Sequence, residues 1–61
     1  MFITRFTKTD GFIEDYYYHS QDDAIKHLCL FENDDSGLYS RIDVLDDSTN
    51  TKMKTLFFEQ F

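Results

Sequence analysis

One stretch of the sequence carries the complete pattern of an amphipathic helix, and the rest of the chain must be built around it. In residues 20–31 the apolar side chains recur at helical spacing and form one stripe, which consists of Ala24, Ile25, Leu28 and Phe31. Ser20 stands where an N-cap is expected, and Asp23 completes a capping box three residues later. We therefore expect a helix at about residues 20–32 whose apolar stripe covers the core, with His27 off that stripe.

The segments on both sides of this helix alternate as strands do. Residues 1–7 alternate, Asp10-Gly11 is a strong hairpin signal, and residues 12–18 form the returning strand. After the helix, residues 38–45 alternate again, and residues 51–58 close a second hairpin across the polar turn 46–50. The pattern predicts one α+β domain over residues 1–61, in ββαββ order, with an antiparallel sheet of about four strands and one helix packed on one face.

Composition limits the classes of function. Cys29 is the only cysteine in 61 residues, so no internal disulfide can form, and we expect a buried structural thiol in a reducing cytoplasm. No long apolar run or leader pattern predicts a membrane or signal segment. The formal charge of −6 disfavours direct binding to nucleic acid or to an anionic membrane surface.

Catalytic and metal-binding patterns are weak. His27 and Cys29 lie two apart on the expected helix and do not share a face, and no glycine-rich phosphate loop is present. We expect that the chain is not an enzyme and that it has no cofactor and no metal site. The run from Glu32 to Asp43 echoes a calcium loop at positions 1, 3, 5, 6 and 12, but it lacks the bidentate Glu at position 12. A weak Ca²⁺- or ligand-responsive domain is therefore kept as an alternative.

One helix cannot cover both faces of a four-stranded sheet. Alternation predicts that the helix-facing side chains are Leu38, Ile42, Val44, Met53 and Phe57. The open face would then collect Leu45 and the interface candidates Tyr16, Tyr18, Tyr39, Leu56 and Phe58. An aromatic face of this kind commonly marks a protein interface, and we expect a protein partner and a homodimer.

The acidic residues offer a second way of binding. A patch is expected from Glu32, Asp34, Asp35, Asp46 and Asp47. Such carboxylates could meet a basic or nucleic-acid-binding protein as DNA phosphates would. Small size, acidity and the lack of a catalytic set are also shared by many anti-restriction and anti-CRISPR proteins, although no family motif is present. A nucleic-acid-mimic inhibitor of a DNA-binding defence protein is therefore the alternative function.

Overall fold

The computed structural model describes residues 1–58. Its elements follow in the order β1 (Phe2–Lys8), β2 (Ile13–Tyr18), α1 (Gln21–Cys29), β3 (Tyr39–Asp46) and β4 (Thr51–Phe57). The four strands form one antiparallel sheet in the order β2-β1-β3-β4, and α1 packs over β1, β2 and β3 on one face. The predicted α+β class and ββαββ order are confirmed.

The first hairpin forms where the sequence predicts it. The Lys8 amide donates to the Phe12 carbonyl at 2.8 Å, and the Gly11 amide donates to the Lys8 carbonyl at 2.9 Å. Gly11 has φ of +90°, a conformation that side chains with a Cβ atom rarely adopt. Asp10 Oδ1 accepts a hydrogen bond from the Phe12 amide at 2.9 Å. Both residues of the Asp10-Gly11 signal therefore hold the turn, as in three-residue hairpin loops with a glycine bulge.

Helix α1 is shorter than expected and begins without the predicted cap. Ser20 has extended backbone angles but makes no side-chain capping hydrogen bond, so the capping box is wrong. This end of α1 is exposed, and water can satisfy its free amides. The helix ends at Cys29, which places Lys26 in its last turn, where positive charge is favourable. Within residues 1–58 no helix is long and apolar enough to cross a membrane.

The core lies between α1 and the two central strands. Ala24 and Leu28 are fully buried with Phe6, Ile42 and Val44, which confirms the predicted stripe. The Thr4 hydroxyl donates to the Ala24 carbonyl at 2.9 Å and ties β1 to the helix. Cys29 is exposed, so the expectation of a buried thiol is wrong. It lies at the edge of the stripe, which turns it away from the sheet.

Two β-bulges change which side chains of β3 and β4 face the helix. Between β1 and β3 the pairing passes from Thr7 with Arg41 to Lys8 with Tyr39, which leaves Ser40 as the extra residue. Between β3 and β4 it passes from Val44 with Lys54 to Leu45 with Lys52, which leaves Met53 as the extra residue. An extra residue shifts the register by one and exchanges the two faces of a strand.

Because of these bulges, several side chains lie on the face opposite to the predicted one. Leu56 pairs with Ile42 on the helix side, and Phe57 pairs with Arg41 on the opposite side. Tyr39, Leu56 and Phe58 pack against the core, whereas Leu38, Met53 and Phe57 are exposed. The assignment of Leu38, Met53 and Phe57 to the helix side is wrong, and so is that of Tyr39, Leu56 and Phe58 to the open side. Ile42, Val44 and Leu45 lie where alternation places them.

Candidate interaction surface

The face of the sheet opposite α1, here called the helix-free face, is organised in three rows that run across the strands. Residues that pair across an antiparallel sheet share a face, so the strand registers define each row. One end row contains Tyr17, Ile3, Leu45 and Lys52; the middle row contains Asp15, Arg5, Asp43 and Thr55; the other end row contains Ile13, Thr7, Arg41 and Phe57. A charged row thus lies between two rows that contain large apolar side chains.

Four of the five charges of this face form two pairs, Arg5 with Asp15 and Arg41 with Asp43. Arg5 donates twice to Asp15, from Nε to Oδ1 at 2.8 Å and from a terminal nitrogen to Oδ2 at 3.1 Å. This two-pronged geometry is the strongest form of an arginine–carboxylate contact. The hydrogen bonds from Arg5 to Asp15 raise the pKa of the Arg5 guanidinium above its ordinary value. Arg5 is thus held in place by its cross-strand partner.

Asp43 is the buried member of the charged row. Only 1% of it is exposed, and a carboxylate buried to that extent is costly unless it is paired. The Thr55 hydroxyl donates to Asp43 Oδ1 at 2.7 Å, and Arg41 Nε lies 3.1 Å from Oδ2. The second contact is an ion pair, and Oδ2 accepts no hydrogen bond within the described residues. Two strands thus supply the groups that compensate this charge.

Three large apolar side chains stand out from the same face. Ile13 is 55% exposed, Tyr17 is 56% exposed and Phe57 is 71% exposed. Ile13 and Phe57 lie on the two edge strands in one row, about 14 Å apart for three strand spacings, and Tyr17 lies four residues along β2 from Ile13. They therefore surround the charged row. Exposed apolar groups gathered on one face are typical of an interaction surface.

The five interface candidates taken from the sequence lie on the helix side of the sheet instead. Tyr18, Tyr39, Leu56 and Phe58 pack against the core, and the ring of Tyr16 makes edge contacts with Phe6 and His27. Sequence reasoning missed Ile13, Tyr17 and Phe57. Alternation in β2 could have identified Tyr17, because it must face away from Tyr16 and Tyr18. No local sequence pattern predicts the bulge that places Phe57 on the helix-free face.

His27 is the centre of an aromatic cluster on the helix side. Its ring contacts Phe6, Tyr16, Tyr18 and Phe31 at centroid distances of 4.8 to 6.0 Å, so its predicted place off the apolar stripe is wrong. Nδ1 lies 2.8 Å from the Tyr18 hydroxyl. Partial burial lowers the pKa of His27 below its ordinary value, because the charged ring would lose hydration there. The arrangement favours a neutral imidazole that fixes Tyr18 to the helix.

Within the described part of the chain, His27 and Cys29 have separate polar contacts. An open groove of about 700 Å³ runs beside α1 and is lined in part by Tyr18, His27 and Cys29. The polar contact of His27 is with Tyr18, whereas Cys29 Sγ lies 3.9 Å from Lys54 Nζ. Among residues 1–58 no group of three or more His, Cys, Asp or Glu side chains is placed to hold a metal ion.

The predicted acidic patch is divided between two segments of the chain. Glu32, Asp34 and Asp35 precede β3, whereas Asp46 and Asp47 stand at its end. Glu32 Oε1 lies 3.9 Å from Lys54 Nζ, and Lys54 pairs with Val44, so the Glu32 carboxylate reaches along the sheet to β4. Asp46 is fixed locally, because its Oδ1 accepts hydrogen bonds from the amide and hydroxyl of Ser48, which lower the pKa of Asp46. The five acids therefore form two groups, here called the acidic poles, one before and one after β3.

Comparison with family models, curated proteins and solved structures finds no match to this chain. The surface itself is therefore the basis for assigning a function. Its most distinctive part is the helix-free face, where paired charges are surrounded by exposed apolar side chains.

Proposed function

We propose that this chain is a non-enzymatic protein-interaction module that binds its partner through the helix-free face. The observation that carries the proposal is the exposure of Ile13, Tyr17 and Phe57, each by more than half, on the one face of the sheet that α1 leaves uncovered. A 61-residue domain gains stability when such a face is covered, because a chain of this size buries only about 60% of the surface that it exposes when unfolded.

The charged row suits a surface that becomes buried. Arg5 is paired with Asp15, and Asp43 is paired with Arg41 and Thr55, all within one copy of the chain. Removing water from these pairs therefore strands no isolated charge, which would be the costly case. Aromatic side chains and arginine are also the residues that interface centres favour. The single cysteine suits a reducing cytoplasm as the site of action.

Site-directed photocrosslinking tests this proposal. A photoreactive phenylalanine analogue at position 57 should form adducts with a protein in the native cytoplasm, because this exposed position belongs to the proposed contact face. The matched control carries the same analogue in place of Leu30, which is 81% exposed but lies beyond the end of α1, away from the helix-free face. Equal adduct yields from positions 30 and 57 would contradict the assignment of this face.

Mimicry of nucleic acid is the second candidate, and one observation favours it. Each acidic pole has exposed carboxylates, Glu32 and Asp35 in one and Asp47 in the other, on a molecule that is 34 Å long, so a basic groove could contact both. The density of charge is nevertheless lower than in DNA, since 34 Å of duplex carries about 20 phosphates and the chain has 12 acidic residues. For this reason the helix-free face is the primary candidate.

The two candidates differ in their dependence on salt. Binding through the acidic poles should weaken steeply as salt rises, because exposed charge pairs are screened over about 8 Å at physiological ionic strength. Replacing Glu32, Asp34 and Asp35 together by their amides should then slow association more than it speeds dissociation. Binding that is unaffected by salt and by this triple replacement would rule out mimicry.

A further inference from the structure

We propose that the partner of the helix-free face is a second copy of this chain, packed sheet against sheet in a symmetric dimer. This inference rests on the proposed function, and it adds the identity of the partner. The first argument is the distribution of charge. The face carries three cations, Arg5, Arg41 and Lys52, and two carboxylates, Asp15 and Asp43, which gives +1, whereas the 61-residue chain carries −6.

The negative charge of the molecule therefore lies on its other surfaces. Two copies that approach through any acidic region repel each other, whereas the helix-free face brings together nearly balanced charges of both signs. A symmetric dimer also requires a surface that is complementary to itself. Arg5 and Asp15 stand side by side in the middle row and are both partly exposed, so a half-turn can bring Arg5 of each copy near Asp15 of the other. A strongly basic partner would instead be attracted to the two acidic poles, away from this face.

The size of the face is the second argument. The molecule measures 34 × 20 × 14 Å, and the sheet with one helix layer accounts for the thin dimension. Contact over the broad side would bury on the order of 700 Å² from each copy, which approaches the roughly 800 Å² per partner of stable complexes. The apolar anchors at its rim, Ile13, Tyr17 and Phe57, would be covered by the same contact.

Sedimentation of the purified chain gives the first test. We expect twice the monomer mass at tens of micromolar protein. Raising the salt to about 0.5 M should preserve or strengthen the dimer, because salt screens the repulsion between two acidic copies while the contact itself depends little on net charge. Phe57→Asp should weaken dimerisation about tenfold or more, because it places a charge at an apolar anchor. Leu30→Asp is the matched control and should leave dimerisation unchanged.

Circular dichroism must show that both variants keep the helix signal, and Tyr17→Asp provides a second disruption of the face if Phe57→Asp does not fold. A monomer at these concentrations, or a dimer that Phe57→Asp and Tyr17→Asp leave intact, would overturn the inference.

Photocrosslinking separates the failure of this inference from that of the proposed function. With purified protein, the analogue at position 57 should give a covalent product of twice the chain mass, and the analogue at position 30 should not. If position 57 gives no such product but forms an adduct with a different protein in the native cytoplasm, the second copy is wrong and the interaction face stands. If position 57 gives neither product, both proposals are wrong.

Discussion

The replacement Leu28→Ala measures how much the single helix contributes to this fold. Leu28 is fully buried against Phe6, Ile42 and Val44, and truncation of a leucine in such a position costs about 2–5 kcal/mol. A chain of 61 residues has a total stability of about 3–9 kcal/mol, at roughly 0.05–0.15 kcal/mol per residue. One side chain of the helix thus accounts for about half of the free energy of unfolding.

Urea titration followed by circular dichroism of the helix provides the assay. With a slope of about 1 kcal/mol per molar urea, typical of the smallest domains, Leu28→Ala should lower the midpoint by about 2 M or more. Leu30→Ala is the matched control, because Leu30 is 81% exposed and its truncation should change the free energy of unfolding by less than about 0.5 kcal/mol. Both variants must be measured at one protein concentration, because dimerisation adds to apparent stability. Equal midpoints for the two variants would refute the role of α1 as the cover of the core.

Four further predictions concern β4, the start of α1, His27 and the segment after α1. Leu56→Ala should cost about 1–3 kcal/mol in the free energy of unfolding and Phe57→Ala less than about 0.5 kcal/mol at sub-micromolar protein, and the reverse order would show that β4 lacks the bulge. Ser20→Ala should change the melting temperature little, because no capping hydrogen bond is lost. A decrease in the free energy of unfolding of more than about 1 kcal/mol would show that Ser20 caps the helix after all. Because burial lowers the pKa of His27, the unfolded chain binds a proton at this residue more readily than the folded chain. The contribution of His27 to stability should therefore be complete above about pH 6.5 and decline as the pH falls through the folded pKa. His27→Gln should remove this decline in urea titrations at a series of pH values. Millimolar Ca²⁺ should leave the melting temperature unchanged, and an upward shift that Asp34→Asn abolishes would reveal a metal site.

The element order could be predicted because its signals are local. The spacing of Ala24 and Leu28 indicates a helix within a few turns of chain, and Asp10-Gly11 specifies a hairpin by its own backbone preferences. The helix starts one residue later and ends three residues earlier than the predicted range of 20–32, and the strand ends differ from the predicted ones by about one residue. Whether Ser20 caps it depends on one rotamer at an exposed site, where water competes for the same amides.

The interaction surface could not be predicted, because it depends on two extra residues in the sheet. β4 has bulky apolar side chains on both of its faces, so its composition fits either register. Without the bulge at Met53, the four-residue turn would direct Phe57 toward Ile42 and Val44; with it, Leu56 and Phe58 pack there instead. Packing between residues that are distant in sequence determines which register β4 adopts, so no local sequence pattern predicts it.

The bulge at Met53 makes the coding sequence tolerant of the loss of that one codon. Removing Met53 would join Lys52, which pairs with Leu45, directly to Lys54, which pairs with Val44, so the pairing with β3 would become regular and every later side chain of β4 would keep its side. The loss of Thr55 would have the opposite effect, because Leu56 would then pair with Asp43 and Phe57 with Ile42. An inherited deletion of one codon would therefore leave the surface that the protein offers to others unchanged at position 53 and exchange it at position 55.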